Sequence, residues 1–316
     1  MARVLAGRLA LSVPMLLGMS VLVFLIIRLV PGDPVLAVLG LNATPQLVAK
    51  LREDLGLNEP IYMQYFSWLG GVLHGDFGLD YRSDEPIGQM LLQRLPVTLE
   101  LTGLALLLSI VMAIPLGVVA AVRRGRLPDK ATQGVSLVGI SIPEFWLGIM
   151  LILIFSLWLG LLPSSGWVPL REDPVENIRH IILPAFTLAV GLAAVLIRIT
   201  RTAMLDVLHE DYIRFTRAKG VGERTVIFKH ALRNASIPIV TVVGLQCGYL
   251  LGGAIVVEQV FALPGVGRLV LDSVLQRNYP VVQASVLMVG LMFVLTNLAA
   301  DLLYAVLNPK LRTAAQ

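Results

Sequence analysis

One cysteine, Cys247, stands in a chain of 316 residues. That excludes an internal disulfide and any Cys-rich metal site. Charge is also scarce. Asp, Glu, Lys and Arg make up 15% of the chain, against about 25% in ordinary soluble domains. The four histidines, His74, His180, His209 and His230, form no HExxH or other metal-ligand spacing. No GxxxxGK followed by Ser or Thr is present, so ATP has no phosphate loop to bind here. Ser, His and Asp occur near His74 and Asp76 without a nucleophile motif. These absences predict no catalytic residue, no metal and no cofactor held by this chain. What fills the space is apolar: 56% of the residues are hydrophobic. That composition excludes a disordered chain and the usual nucleic-acid-binding domain, and argues against a soluble enzyme.

The apolar residues gather into runs. A membrane helix needs roughly 20 of them to cross about 30 Å of hydrocarbon. Six stretches qualify, at 9–30, 97–122, 134–159, 181–197, 237–257 and 281–307. At that depth the backbone must bond to itself, so each reads as a helix. The first run is too long for a signal-peptide core. It ends in Arg28 and Pro31-Gly32-Asp33-Pro34 rather than a small-residue cleavage site, and so reads as retained. The positive-inside rule sets the orientation. With the N-terminus inside, segments 1–8, 123–133, 198–236 and 308–316 carry 16 of the 25 Lys and Arg residues. Acidic residues lean outward, 13 against 5. Both termini are expected in the cytoplasm.

Two polar segments exceed plain connectors. The outer one, 31–96, has its own helix signals. Thr44 can cap, Pro45 suits a first helical position, Gly56 suits a stop, and Leu47, Val48, Leu51 and Leu55 share a face. A second amphipathic stretch follows Pro60, with Tyr62, Tyr65, Phe66 and Trp68 suited to a membrane interface. This reads as a helical cap packed at the outer surface, or as a docking surface for an external partner. In the inner segment, 198–236, Met204, Leu208, Tyr212 and Phe215 repeat at helical spacing until Gly220 breaks the pattern. Thr225, Phe228, Leu232 and Ala235 then share one face of a second helix. A hairpin with a buried aromatic stripe and a glycine turn suits a protein socket better than an anchor to anionic lipid.

Three acids fall inside the spans: Glu100, Glu144 and Asp301. Glu100 is near an outer boundary and can snorkel. Glu144 follows Pro143, which frees a carbonyl and kinks the third span. An intramembrane acid costs about 2.5–3.5 kcal/mol on insertion scales and faces protein or water rather than lipid. Glu144 and Asp301 are therefore pathway candidates, or they bond to neighbouring helices. As proton sites they would suit an ion-coupled secondary transporter. A membrane-embedded hydrolase would need paired catalytic motifs, which the sequence lacks.

A series of motifs runs in order through the chain: Leu29-Val30-Pro31-Gly32-Asp33-Pro34, Leu55-Gly56-Leu57, Gly75-Asp76-Phe77-Gly78, Arg94 to Leu101, Pro143-Glu144-Phe145-Trp146-Leu147-Gly148, Glu210 to Gly220, His230-Ala231-Leu232-Arg233-Asn234, Glu258-Gln259-Val260-Phe261 and Pro264-Gly265-Val266-Gly267. Together they resemble the first permease of the dipeptide, oligopeptide and nickel group of ABC importers, and the inner hairpin resembles that family's EAA loop. The family's Glu-Ala-Ala positions read Arg214-Phe215-Thr216 here, while the glycine is kept as Gly220. The resemblance implies an all-α integral membrane protein of the type I ABC importer permease fold. It would have six transmembrane helices and an outer helical segment between helices 1 and 2. Residues 1–96 would form the first helix and outer segment, and 97–316 a five-helix core bearing the coupling loop at 198–236. Function would be ATP-driven import of dipeptides or oligopeptides, with nickel chelates, glutathione or haem as alternatives. The partners implied are a second permease, two cytoplasmic ATPases that use ATP and Mg, an extracytoplasmic binding protein and the bacterial inner membrane. Arg214, Phe215, Thr216, Arg217, Ala218, Lys219, Gly220 and Val221 would contact an ATPase. Glu258, Phe261, Pro264 and Gly265 are outer-loop candidates.

Overall fold

The computed structural model describes residues 2–29, 35, 44–54 and 56–307. It is helical: α1 (Ala2–Leu29), α2 (Pro45–Asp54), α3 (Ile61–Leu73), α4 (Ile87–Val122), α5 (Leu127–Ser141), α6 (Glu144–Leu151), α7 (Pro174–Leu208), α8 (Asp211–Ala218), α9 (Leu232–Val260), α10 (Val266–Leu275) and α11 (Tyr279–Leu307). α6 runs on as a π-helical segment, Ile152–Trp158. A second π segment, Val226–Ala231, leads into α9 after one turn at Glu223–Thr225.

Among the described residues, four helices are long and apolar enough to span a membrane: Ile87–Val122, Pro174–Leu208, Glu223–Val260 and Tyr279–Ala299. Leu127–Ser141 with Glu144–Trp158 makes a fifth if that bent pair is one span. Within α1 a shorter apolar stretch, Ala10–Ile26, falls in the first expected run. The third run is broken rather than kinked, with its halves meeting at 102°. Ile142 is extended (ψ 124°) because the proline ring bars the residue before it from the helical region, and Pro143 (ψ 134°) is the extended cap of α6.

The chain divides into two compact units. The first is Ala6–Thr98 with Pro264–Val294. Here α3 lies on α1. The Phe24 ring meets Tyr65 and Trp68 at 5.2 and 5.7 Å, and the Ser20 and Tyr65 hydroxyls are 2.9 Å apart. The Thr44 hydroxyl accepts from the Leu47 N–H, and Gly56 turns the chain at φ 62°, as the cap and stop signals require. Leu55 is outside the described residues. The core of this unit joins Ile87 and Leu91 to Val266, Leu269, Val281 and Ala284. Asp80 ties the loop before α4 to Asn278. Its carboxylate accepts from the Asn278 amide, the Arg82 N–H and the Ser83 hydroxyl. Burial works to raise this carboxyl, but those three donors and the Arg82 charge hold it below the ordinary Asp range.

The second unit centres on Leu99–Leu263. α7 is its axis. Asp173 caps it through the Val175 and Glu176 N–H groups, and Pro174 sets its first turn, so it begins seven residues before the apolar run at 181–197. Neighbouring helices approach it through glycines. A Cβ on Gly117 would stand 2.6 Å from Thr200 Cβ, and one on Gly139 would stand 3.0 Å from Ala194 Cβ. Small residues at such crossings let backbones pack closely where lipid gives no hydrophobic drive. Glu100 does not snorkel alone, because its carboxylate accepts from Trp167 Nε1 at 3.0 Å.

Candidate functional site

The hairpin of 198–236 is built differently from its sequence periodicity. α7 stops at Leu208, where the His209 ring bonds the Leu205 carbonyl and Glu210 turns extended (ψ 145°). Met204 and Leu208 therefore lie on one helix, and Tyr212 and Phe215 on the next. The aromatic stripe is not buried: Phe215 is 62% exposed and Phe228 61%. The anchor is Ile213, fully buried among Met204, Val226, Ala231 and Ala235. The π segment causes part of this change. Its extra residue per turn shifts the register, so Val226 and Ala231 face the core instead of Thr225 and Phe228.

This packing leaves the surface of α8 free. Arg214, Phe215, Arg217, Ala218, Lys219 and Gly220 are exposed, while Thr216 and Val221 are half-buried. Lys219 Nζ sits over the Phe215 ring at 4.5 Å, and Arg217 grips Glu223 with two hydrogen bonds of 2.7 and 3.1 Å. The Asn234 amide donates to the Tyr212 hydroxyl at 2.6 Å, fixing α8 to the base of α9. Gly220 takes φ 77°, which an L side chain rarely adopts, and nothing lies within 4 Å of the Cβ it lacks. Its environment is open, so the backbone angle is what favours glycine there.

Behind the hairpin, the turn after α4 is locked to α7. Asp129 is buried and accepts from the Gly125 N–H, the Gln133 amide and, bidentately, Arg201 at 2.6 and 3.0 Å. No sequence motif marks this pair, whose members lie 72 residues apart.

The break between α5 and α6 opens a cavity of about 510 Å³, with Glu144 in its wall. The carboxylate reaches toward α7 and α9 over two glycines. The Cβ positions of Gly253 and Gly191 would be 2.9 and 3.9 Å from its oxygens. Gln246 and Tyr249 of α9 also line the cavity. The sequence singled out Glu144 but not the glycines or Gln246, because only the packing of three helices brings them together. Asp301 lies on α11, and its side chain falls outside the described residues. Of the outer-loop candidates, Glu258 and Phe261 are buried; the Phe261 carbonyl accepts from the Gly166 N–H, and the Glu258 carbonyl from Leu263. Pro264 is exposed and Gly265 buried. The surface of that loop is therefore not formed by Glu258 or Phe261.

Two family models match the chain. That of the binding-protein-dependent transport system inner membrane component covers residues 113–313, and its N-terminal companion covers residues 1–102. The glutathione transport system permease protein GsiC of Escherichia coli K12 is 45% identical over 300 residues, 95% of each chain. That of Salmonella choleraesuis is 46% identical over the same length and coverage. Among solved structures, an inward-facing MetNI methionine ABC transporter chain superposes with a TM-score of 0.59 at 19% identity, over 70% of this chain and 97% of that one. A chain of an amino acid ABC transporter gives 0.52 at 16% identity, over 68% and 93%. These two likenesses show the type I permease fold.

Proposed function

The chain belongs to the binding-protein-dependent transport system inner membrane components, a multi-pass ABC importer permease and not an enzyme; from that premise we propose that its cargo is a short peptide, glutathione included. The similarity to GsiC supports that chemistry, and so does the resemblance of the motif series to the peptide-importer group. In this reading the chain pairs with a second, related permease around the pathway. An extracytoplasmic binding protein delivers cargo, and two cytoplasmic ATPases, using ATP and Mg, drive the cycle. The concentration of Lys and Arg in 1–8, 123–133, 198–236 and 308–316 supports a cytoplasmic side for both termini.

The observation that carries this reading is α8 itself. It is a short helix fixed by buried Ile213 and by the Asn234–Tyr212 hydrogen bond, and it presents Arg214, Phe215, Arg217 and Lys219 outward. A knob of this kind suits a groove in a partner protein. ATP binding can move the permease only if the groove holds this knob differently in its two states. Gly220 ends the knob and sets its direction.

The test is to tag the chain, extract it gently with the products of its operon, and identify what co-purifies by mass spectrometry, for the wild type and for Gly220→Asp. Two ATPases and a second permease with the wild type, weakened in the variant, support the reading. A chain that purifies alone and transports under a proton gradient overturns it.

A further inference from the structure

We propose that the Glu144 cavity holds the cationic group of the cargo, the free α-ammonium of a peptide, during its passage. The inference rests on the peptide reading above and deepens it by naming what the permease itself recognises.

Three features of the cavity carry the argument. The first is an unpaired carboxylate. Glu144 is half-buried, and among the described residues it has no hydrogen-bond or ion-pair partner. Gln246 and Tyr249, which share the cavity, have none either. A charge withdrawn from water without a partner is costly, so a site kept this way favours an incoming opposite charge.

The second is the broken helix. Pro143 has no N–H to offer the Gly139 carbonyl, and the 102° turn takes the following donors away from Ile140 and Ser141. All three residues line the cavity. A helix C-terminus carries roughly −0.5 charge and an N-terminus roughly +0.5. Here the C-terminus of α5 and the N-terminus of α6 meet, and their partial charges largely offset one another. Glu144, at the first position of α6, is left as the one carboxyl group among the residues that line the cavity. Half-helix C-terminal ends and unwound carbonyls at membrane depth suit cation coordination, and here they are those of Gly139, Ile140 and Ser141.

The third is space. Gly191 and Gly253 leave room for the carboxylate against α7 and α9, and Tyr249, 67% exposed, stands at the rim with Phe145. Aromatic faces beside a carboxylate favour an ammonium further. The volume, about 510 Å³, admits a small peptide.

The experiment uses the complete transporter: this chain, its co-encoded second permease, ATPases and binding protein, reconstituted in proteoliposomes. Uptake of L-alanyl-L-alanine is compared with that of propionyl-L-alanine, which has the same shape without the ammonium. Each is supplied on saturated binding protein. The wild type should prefer the free amine by tenfold or more. Glu144→Gln should cut that ratio at least fivefold in a complex that still contains the second permease and the ATPases. Glu144→Asp, which keeps the charge, should hold the ratio within threefold. Gly253→Ala, whose methyl would meet the carboxylate, should lower the ratio with the charge still present. A ratio that Glu144→Gln leaves unmoved overturns the proposal alone. So does loss of the second permease from the Glu144→Gln complex, since the carboxylate would then be pairing across an interface. A wild type that moves neither peptide overturns the cargo reading and takes this proposal with it.

Discussion

The crossing of α4 and α7 offers a sharp test of the packing. Replacing Gly117 with Ala places a methyl 2.6 Å from Thr200 Cβ, 2.8 Å from Thr200 Cγ2 and 3.0 Å from the Ile197 carbonyl oxygen. Carbon atoms in favourable contact sit about 3.5–4.0 Å apart. A rotamer change cannot relieve this, because Thr200 Cβ is fixed by its backbone and the residue is fully buried. The helices must part by roughly 1 Å, and overpacking of that kind costs about 1–3 kcal/mol. Against it stands the gain of about 1 kcal/mol from replacing a helical glycine by alanine. Sterics win at Gly117. At Gly103, on the same helix, nothing lies within 4 Å, and only the propensity gain remains. Heating in detergent, followed by size-exclusion chromatography of the soluble fraction, should show Gly117→Ala melting several degrees below the wild type. Gly103→Ala should melt level with the wild type or above it. Thr200→Gly, which removes the Cβ being struck, should restore part of the loss. A Gly117→Ala protein as stable as the wild type, or a Gly103→Ala protein that falls as far, would refute the argument.

Other expectations follow from the same contacts. Asp129→Ala strips Arg201 of its partner at a site where the carboxylate is buried, and should cost about 3–5 kcal/mol; thermal midpoints in detergent read this, and an unchanged midpoint would show that water replaces the carboxylate. Gly220→Ala meets no neighbour but must hold φ 77°, a penalty of about 1–2 kcal/mol confined to one turn. The melting midpoint should fall by a few degrees at most, while co-purification of the ATPases weakens strongly; a lower midpoint with co-purification unchanged would make the glycine an ordinary helix stop. The Asp80 carboxyl is held below its unfolded value of about 3.9. Its stabilisation is therefore present at neutral pH and down to about 3.9, and is lost as the pH falls further through the folded value. Asp80→Asn should lower the melting midpoint at pH 7 and flatten its decline in acid, and parallel curves for the two proteins would count against this.

What could be read from the sequence was what a few adjacent residues decide. The helix of Pro45–Asp54 follows from a cap, a proline and a glycine within 13 positions. Gly220 was legible for the same reason. The hairpin's buried face was not. Periodicity assumes 3.6 residues per turn and an unbroken helix, and here α7 ends at Leu208 and a π segment shifts the register after Thr225. Pro143 announced a disturbance, but whether a proline kinks or breaks a helix depends on the packing of both halves. Only that packing reveals that Glu144 points at Gly253, more than 100 residues away in the sequence.

The same packing suggests why α7 is the element that joins the two sites. Gly191 belongs to the cavity wall, and Met204 to the core that holds Ile213. Thirteen residues separate them, about 20 Å of helix at 1.5 Å per residue. No proline or glycine interrupts Leu192–Met204, and Pro184 lies on the far side of Gly191. The stretch is clamped where α4 and α5 cross it, at Thr200 and Ala194, and by the bond of Arg201 to Asp129. A rod clamped this way resists bending, and a displacement of α8 is expected to pass along it toward Gly191 and the space beside Glu144. Loosening the clamp with Asp129→Asn should therefore lower uptake per ATP hydrolysed in the reconstituted transporter more than it lowers hydrolysis itself. Equal losses in both would mean that the pair serves stability alone.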